Sequence, residues 1–123
     1  MNPYMLAARA AIESHYDGKC NIVEHKEKLK ENSNITHFVE EVVKEEQPCK
    51  VSFEEVYVNT ETDNESKVVT KIKLFIAPEI NIMPGSKIVV TQRGRTTEYK
   101  NSGEPAIYET HQEIMLVKFK GWA

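Results

Sequence analysis

The stretch KIVVTQRGRTTEYK, residues 87–100, limits what this chain can fold into more than any other. Ile88 and Val90 fall on one side of an extended segment and Val89 on the other, the two-residue period of a strand. Gln92-Arg93-Gly94-Arg95 then reads as a tight reversal, with Gly94 supplying a positive φ. Thr97 and Tyr99 return along a second strand. The pattern therefore predicts two antiparallel neighbours.

The same logic extends through most of the chain. Residues 20–25 form a short strand around Ile22 and Val23. Residues 37–46 (HFVEEVVKEE) fit helical spacing as well, but their β-branched content and extended neighbours favour a strand. Pro48 reads as an interruption. Beyond it Cys49, Val51 and Phe53 alternate with Lys50, Ser52 and Glu54, as inward and outward residues should. In VVTKIKLFI, Val69, Ile72, Leu74 and Ile76 are the candidate inward residues. Ile80 and Ile82 lead to a Pro84-Gly85 turn, and residues 101–105 make a broad loop. The final strand, residues 112–120, carries apolar residues on both faces and is expected to be buried on two sides. Two polar excursions, residues 26–36 and 54–67, read as long loops.

Residues 1–18 read as a helix. Asn2 caps it, Pro3 suits its first position, and Asp17-Gly18 stops it, with Gly18 free for the left-handed conformation. Tyr4, Ala8, Ala11, Ile12 and His15 share one narrow face, expected to dock on the chain's own sheet or on a neighbouring subunit. One helix followed by short strands and hairpins predicts a mainly β, α+β fold. The expected architecture is a small antiparallel β-barrel or sandwich with an N-terminal helix and long inter-strand loops. At 123 residues the chain is expected to be a single domain.

A formal net charge of -3 argues against a nucleic-acid binder held by bulk positive charge. The first residues lack a basic segment followed by an apolar one, and no run approaches the length of a membrane span. In such a chain Cys20 and Cys49, both in apolar strand-like surroundings, read as buried free thiols.

The motifs of chemistry are missing from the text. His15, His25, His37 and His111 pair with neither a cysteine nor one another at metal-ligand spacing, so no metal is expected. There is no P-loop, no GxGxxG and no nucleophile elbow, so no cofactor or catalytic residue is assigned. Glu40-Glu41 and Glu54-Glu55 are adjacent in strands and point to opposite faces, which excludes a paired-carboxylate site. His111, leading into a strand, is expected to fix a backbone corner. Arg93 and Arg95 flank a turn tip where they could meet a phosphate or a neighbour's carboxylates. Trp122 is expected to anchor the chain end in a hydrophobic contact. Glu61, Asp63 and Glu65 make the second excursion acidic.

Several segments together, AARAAIES, YDG, QPCKVSF, KLFIAPEINIMPGSKI, EYKNSGEPAIY, THQEI and FKGWA, resemble the head-tail connector proteins of long-tailed bacteriophages and prophages of Gram-positive hosts. The resemblance is to the head-completion or stopper class. It implies a virion protein at the neck, assembled in the host cytoplasm into a ring on the order of six or twelve copies. Portal or adaptor proteins would lie on its head side and a tail-terminator protein on its tail side. Packaged double-stranded DNA would pass without sequence-specific contact, and no membrane is involved. In that class a long inter-strand loop gates the channel; by position it is residues 54–67 here, with Glu61, Asp63 and Glu65 as gating candidates. Tyr4, Ala8, Ile12, Arg93, Arg95 and Trp122 are the candidate interface residues. The alternatives are a tail-completion or adaptor protein of the same neck, or a free nucleic-acid-binding barrel of the OB or SH3-like type. The last would use Tyr99 beside Arg93, Arg95 and Lys100 as its stacking site.

Overall fold

The computed structural model describes residues 2–29, 35–59 and 66–122. One helix, α1 (Pro3–Glu13), precedes seven strands: β1 (Gly18–Leu29), β2 (Thr36–Asn59), β3 (Ser66–Ile76), β4 (Lys87–Gln92), β5 (Arg95–Asn101), β6 (Ala106–Ile107) and β7 (Gln112–Lys118). All pairings are antiparallel. The sheet runs β3-β2-β1-β4-β5-β7-β6, and β3 also pairs with β7. That last pairing closes six strands into a barrel, with β6 a short addition to β7.

Every barrel strand contributes to one core. Cys20 and Ile22 come from β1, Cys49 and Val51 from β2, Leu74 and Ile76 from β3, Ile88 and Val90 from β4, Tyr99 from β5, and Ile114 and Leu116 from β7. Each pair is two residues apart, so the pleat alone sends both inward. The crossover from β3 to β4, residues 77–86, adds Ile82 and is held by buried side-chain amides. Gln112 Nε2 donates to the carbonyls of Ala77 (2.8 Å) and Ile80 (2.6 Å). Asn101 Nδ2 donates to that of Met83 at 3.1 Å. These amides satisfy carbonyls that have no strand partner, which offsets the cost of burying them.

The β4–β5 turn is the one expected: Arg93 (φ 51) and Gly94 (φ 77) both have positive φ, the backbone of a two-residue reversal. Residues 37–46 are strand, and both cysteines are buried free thiols. The Cys49 thiol hydrogen-bonded to Cys20, together with burial, pushes the Cys20 thiol far above its usual range. It therefore stays protonated, and Cys20 fills the core as a small hydrophobe.

Several expectations are corrected. Helix α1 ends at Glu13, with Ser14 as its C-cap. Gly18 is not a left-handed stop but the first residue of β1. There a Cβ would lie 3.0 Å from Gln92 Oε1 and 3.2 Å from the Cys49 carbonyl, so any larger residue would press on both. Pro48 does not interrupt β2. It pairs with Lys19 of β1, one residue before β2 also takes up β3 at Cys49. The missing N–H thus falls where the strand has one partner only. Neither polar excursion is a loop over its whole length. Residues 26–29 belong to β1, and residues 54–59 and 66–67 belong to β2 and β3. Phe53 and Val69, expected inward, are exposed. Met115 and Val117 are exposed too, so β7 is buried on one face only.

Candidate interaction surfaces

The long strands β1, β2 and β3 outrun the barrel. β1 pairs with β4 only up to Val23, and β3 pairs with β7 only from Ile72. Beyond those points each continues with β2 as a two-stranded ribbon. The first arm consists of residues 24–29 and 36–41, the second of residues 54–59 and 66–71. At about 3.4 Å per residue the first arm's β1 strand reaches about 20 Å. Among the described residues, no strand pairs with the outer edges of either arm.

Register places apolar side chains along one face of each arm. On the first, Phe38 and Leu29 share a face with His25, Glu27 and Glu40, and Phe38 is 62% exposed. On the second, the face that carries Val51 and Leu74 into the core continues outward as Phe53, Tyr57 and Val68, with Tyr57 78% exposed. That face is an uncovered extension of the core.

The root of the second arm is built by Gln92. Where β2 leaves β1, Val51 has no strand partner on that side. Gln92 supplies one: its Oε1 accepts from the Val51 amide at 2.8 Å, and its Nε2 donates to the Val51 carbonyl at 3.1 Å. Beside it lies a cleft of about 310 Å³ bordered by Phe53, Val90, Arg93, Arg95, Thr97 and Tyr99. Arg93 pairs with Asp17 at 3.0 Å and holds that carboxyl below the usual range. Arg95 is exposed and makes no ion pair among the described residues.

The root of the first arm is clasped by the chain end. Trp122 stacks on His25 (ring centroids 4.6 Å apart, planes 12° apart) and meets Phe119 edge-on at 5.0 Å. Its Nε1 donates to Glu40 Oε1 at 2.9 Å. The same oxygen lies 3.0 Å from Lys87 Nζ, which also pairs with Glu98 at 2.9 Å and sits 4.8 Å from the Phe119 ring centre. The Glu98 and Glu40 carboxylates raise the Lys87 ammonium above the usual lysine range, against the burial that opposes its charge. Glu41 points the other way, toward Lys26 and Lys28, so the adjacent carboxylates occupy opposite faces.

His111 stands at the corner before β7. Its carbonyl accepts from Tyr108 N (2.8 Å), and its ring bridges Thr110 Oγ1 (2.9 Å) and Glu113 Oε2 (2.8 Å). No cluster of three or more metal-ligating side chains occurs among the described residues. No helix among them is long and apolar enough to cross a membrane.

The sequence-derived candidates scatter over these features. Tyr4 and Ala8 are exposed on α1, Ile12 is half-buried, and the helix has no buried residue. The helix is tethered not by its alanine face but by Arg9, which bonds Glu79 and Glu13. Trp122 is engaged within its own chain, while Arg93 and Arg95 border the cleft. Glu61, Asp63 and Glu65 lie outside the described residues. Tyr99 is 5% exposed and faces the core, so it offers no stacking platform. Gln92, Gln112 and Asn101 escaped sequence reasoning. The signal available for them was a long amide beside apolar strand residues, which marks a buried backbone in want of a partner.

No family model matches this chain, and no curated protein does. Among solved structures, the fold is similar to that of xkdH, a protein of the phage-like element PBSX from Bacillus subtilis. The TM-score is 0.51 at 12% sequence identity, covering 81% of this chain and 91% of that one.

Proposed function

We propose that this chain is a structural virion protein of a tailed phage or phage-like particle, a connector of the stopper class at the head-tail junction. One observation carries the reading: a small closed barrel sends out two strand-built arms, and in sequence the two strands of the second are joined by a stretch with three carboxylates, Glu61, Asp63 and Glu65. The likeness to a protein of a phage-like element over 91% of its length supports the same reading. The role is mechanical rather than catalytic.

In this reading copies form a closed ring between portal or adaptor proteins and the tail terminator. The second arm reaches toward the channel, and the sequence joining its two strands holds Glu61, Asp63 and Glu65. Like charge lets that stretch obstruct DNA without adhering to phosphate. The free nucleic-acid-binding barrel is disfavoured by the burial of Tyr99.

The test is cryo-electron microscopy of the parent particles, focused on the neck. A ring of this chain with its second arms pointing inward is the expected result. Arms pointing outward would keep the connector and remove the gate. Absence of the chain from the particles would refute the reading.

A further inference from the structure

The cleft beside Gln92 is ordered from floor to rim by the register of the β4–β5 hairpin. Tyr99, opposite Ile88, and then Val90 are buried at its inner end, while Gln92 and Arg95, opposite one another, stand at the rim beside the turn. Phe53 of β2, 59% exposed, forms the wall across from them. Arg95 shares the parity of Tyr99 along β5, so the pleat puts a guanidinium on the core-facing side of its strand. That guanidinium makes no ion pair among the described residues, and Arg93 beside it gives only its Nε to Asp17. Gln92 is occupied by the Val51 peptide. No carboxylate lines the cleft. Glu55, the next residue outward on the face of Phe53, makes no ion pair among the described residues.

We propose that this cleft binds a segment of a partner protein that presents an apolar side chain next to a carboxylate. The side chain lies on Val90 and Tyr99, and the carboxylate meets Arg95 at the rim. The chemistry follows the depth order. The floor removes an apolar group from water. The rim then offers a planar fork of donors that matches a carboxylate. A space of about 310 Å³ takes one large side chain. Outside it, the exposed residues Tyr57 and Val68 continue the face of Phe53, which a polypeptide can follow and a small metabolite would leave bare. The proposal is independent of the connector reading, since it concerns the isolated chain and one cleft.

The probe is N-acetylphenylalanine, titrated into the isotope-labelled full chain and followed by amide chemical shifts. Saturable shifts are expected at Phe53, Val90, Gln92 and Arg95, with nuclear Overhauser contacts from the probe's ring to the Val90 methyl groups. N-acetylphenylalaninamide has the same shape without the charge and should bind about tenfold more weakly. Arg95, Glu55 and Phe53 are all exposed, so substitutions there leave the core untouched, and unchanged circular dichroism checks this. Arg95→Gln should reduce the acid to the affinity of the amide. Glu55→Gln should tighten the acid and leave the amide unchanged, because it removes a like charge near the rim. Phe53→Ser should weaken both. The proposal is overturned if the cleft amides show no saturable shift up to the probe's solubility limit. It is also overturned if acid and amide bind the wild type equally, or if Arg95→Gln keeps the preference for the acid.

Discussion

Replacing Gln92 with alanine strips the Val51 peptide of both its partners on the side where β2 leaves the barrel. Two net hydrogen bonds are worth about 1 kcal/mol each, whereas a buried group left with no partner costs about 1–3 kcal/mol. The neighbouring geometry decides between these. The cleft of about 310 Å³ beside Gln92 far exceeds the roughly 30 Å³ that a water molecule occupies, so water replaces the amide. The lower figure applies, and Gln92→Ala should cost about 2 kcal/mol. With a urea slope of about 2 kcal/mol/M, the unfolding midpoint should fall by about 1 M. Amide exchange at Val51 should accelerate with it, since that N–H opens first. Gln92→Glu should cost more at neutral pH, because a carboxylate accepts from the Val51 amide but opposes its carbonyl. Gly18→Ala drives a Cβ against Gln92 Oε1, so its cost should shrink in the Gln92→Ala background, a coupling that a double-mutant cycle reads directly. A Gln92→Ala midpoint within about 0.2 M of the wild type, with unchanged Val51 exchange, would refute the idea that this side chain stands in for a strand.

Ile114→Ala empties a fully buried site and should cost about 2–5 kcal/mol; a thermal melt matching the wild type would contradict the core assignment. Gly94→Ala meets no atom within 4 Å, yet Gly94 holds φ +77. The cost should therefore be pure backbone strain of about 1–2 kcal/mol, and Gly94→Asn, tolerant of this conformation, should lose less in the same denaturation assay. Glu113 is held below the usual carboxyl range, first by His111 and then by Lys73. Its stabilising contribution is present above its ordinary pKa and is lost as pH falls through the lowered one. Glu113→Gln should therefore flatten the acid side of a stability–pH profile, and an unchanged profile would argue against it.

The barrel was legible where inward and outward faces meet different environments. Ile88, Val90, Ile114 and Leu116 face the core while Val89 and Met115 between them do not, and Arg93-Gly94 could hardly be anything but a reversal. Residues 26–29 and 54–59 were illegible for the opposite reason. A ribbon beyond the barrel has solvent on both faces, so no alternation marks it as a strand, and HKEKL reads as a loop. Pro48 misled because a proline rule written for paired strands ignores a strand that is changing partners. Met115 and Val117 misled because apolar residues on an outer face look the same in print whether the protein's own chain or another one covers them. Of the candidate surface, the Arg93 and Arg95 corner was readable from the turn alone. Gln92 and the two arms needed the register.

β2 runs for 24 residues, up to about 80 Å of extended chain, and serves both arms, with a bulge around Glu46 (φ 50) between them. Cys49 is the one residue gripped from both sides, by Gly18 of β1 and Ile76 of β3, and it is fully buried. Mechanically this is a lever resting on a fulcrum. The barrel wall clamps the strand at its middle while its two ends stand free on opposite sides of the clamp. A load on the outer end of one arm therefore exerts a torque about Cys49, which the other arm, the clamp or the bulge at Glu46 must take up.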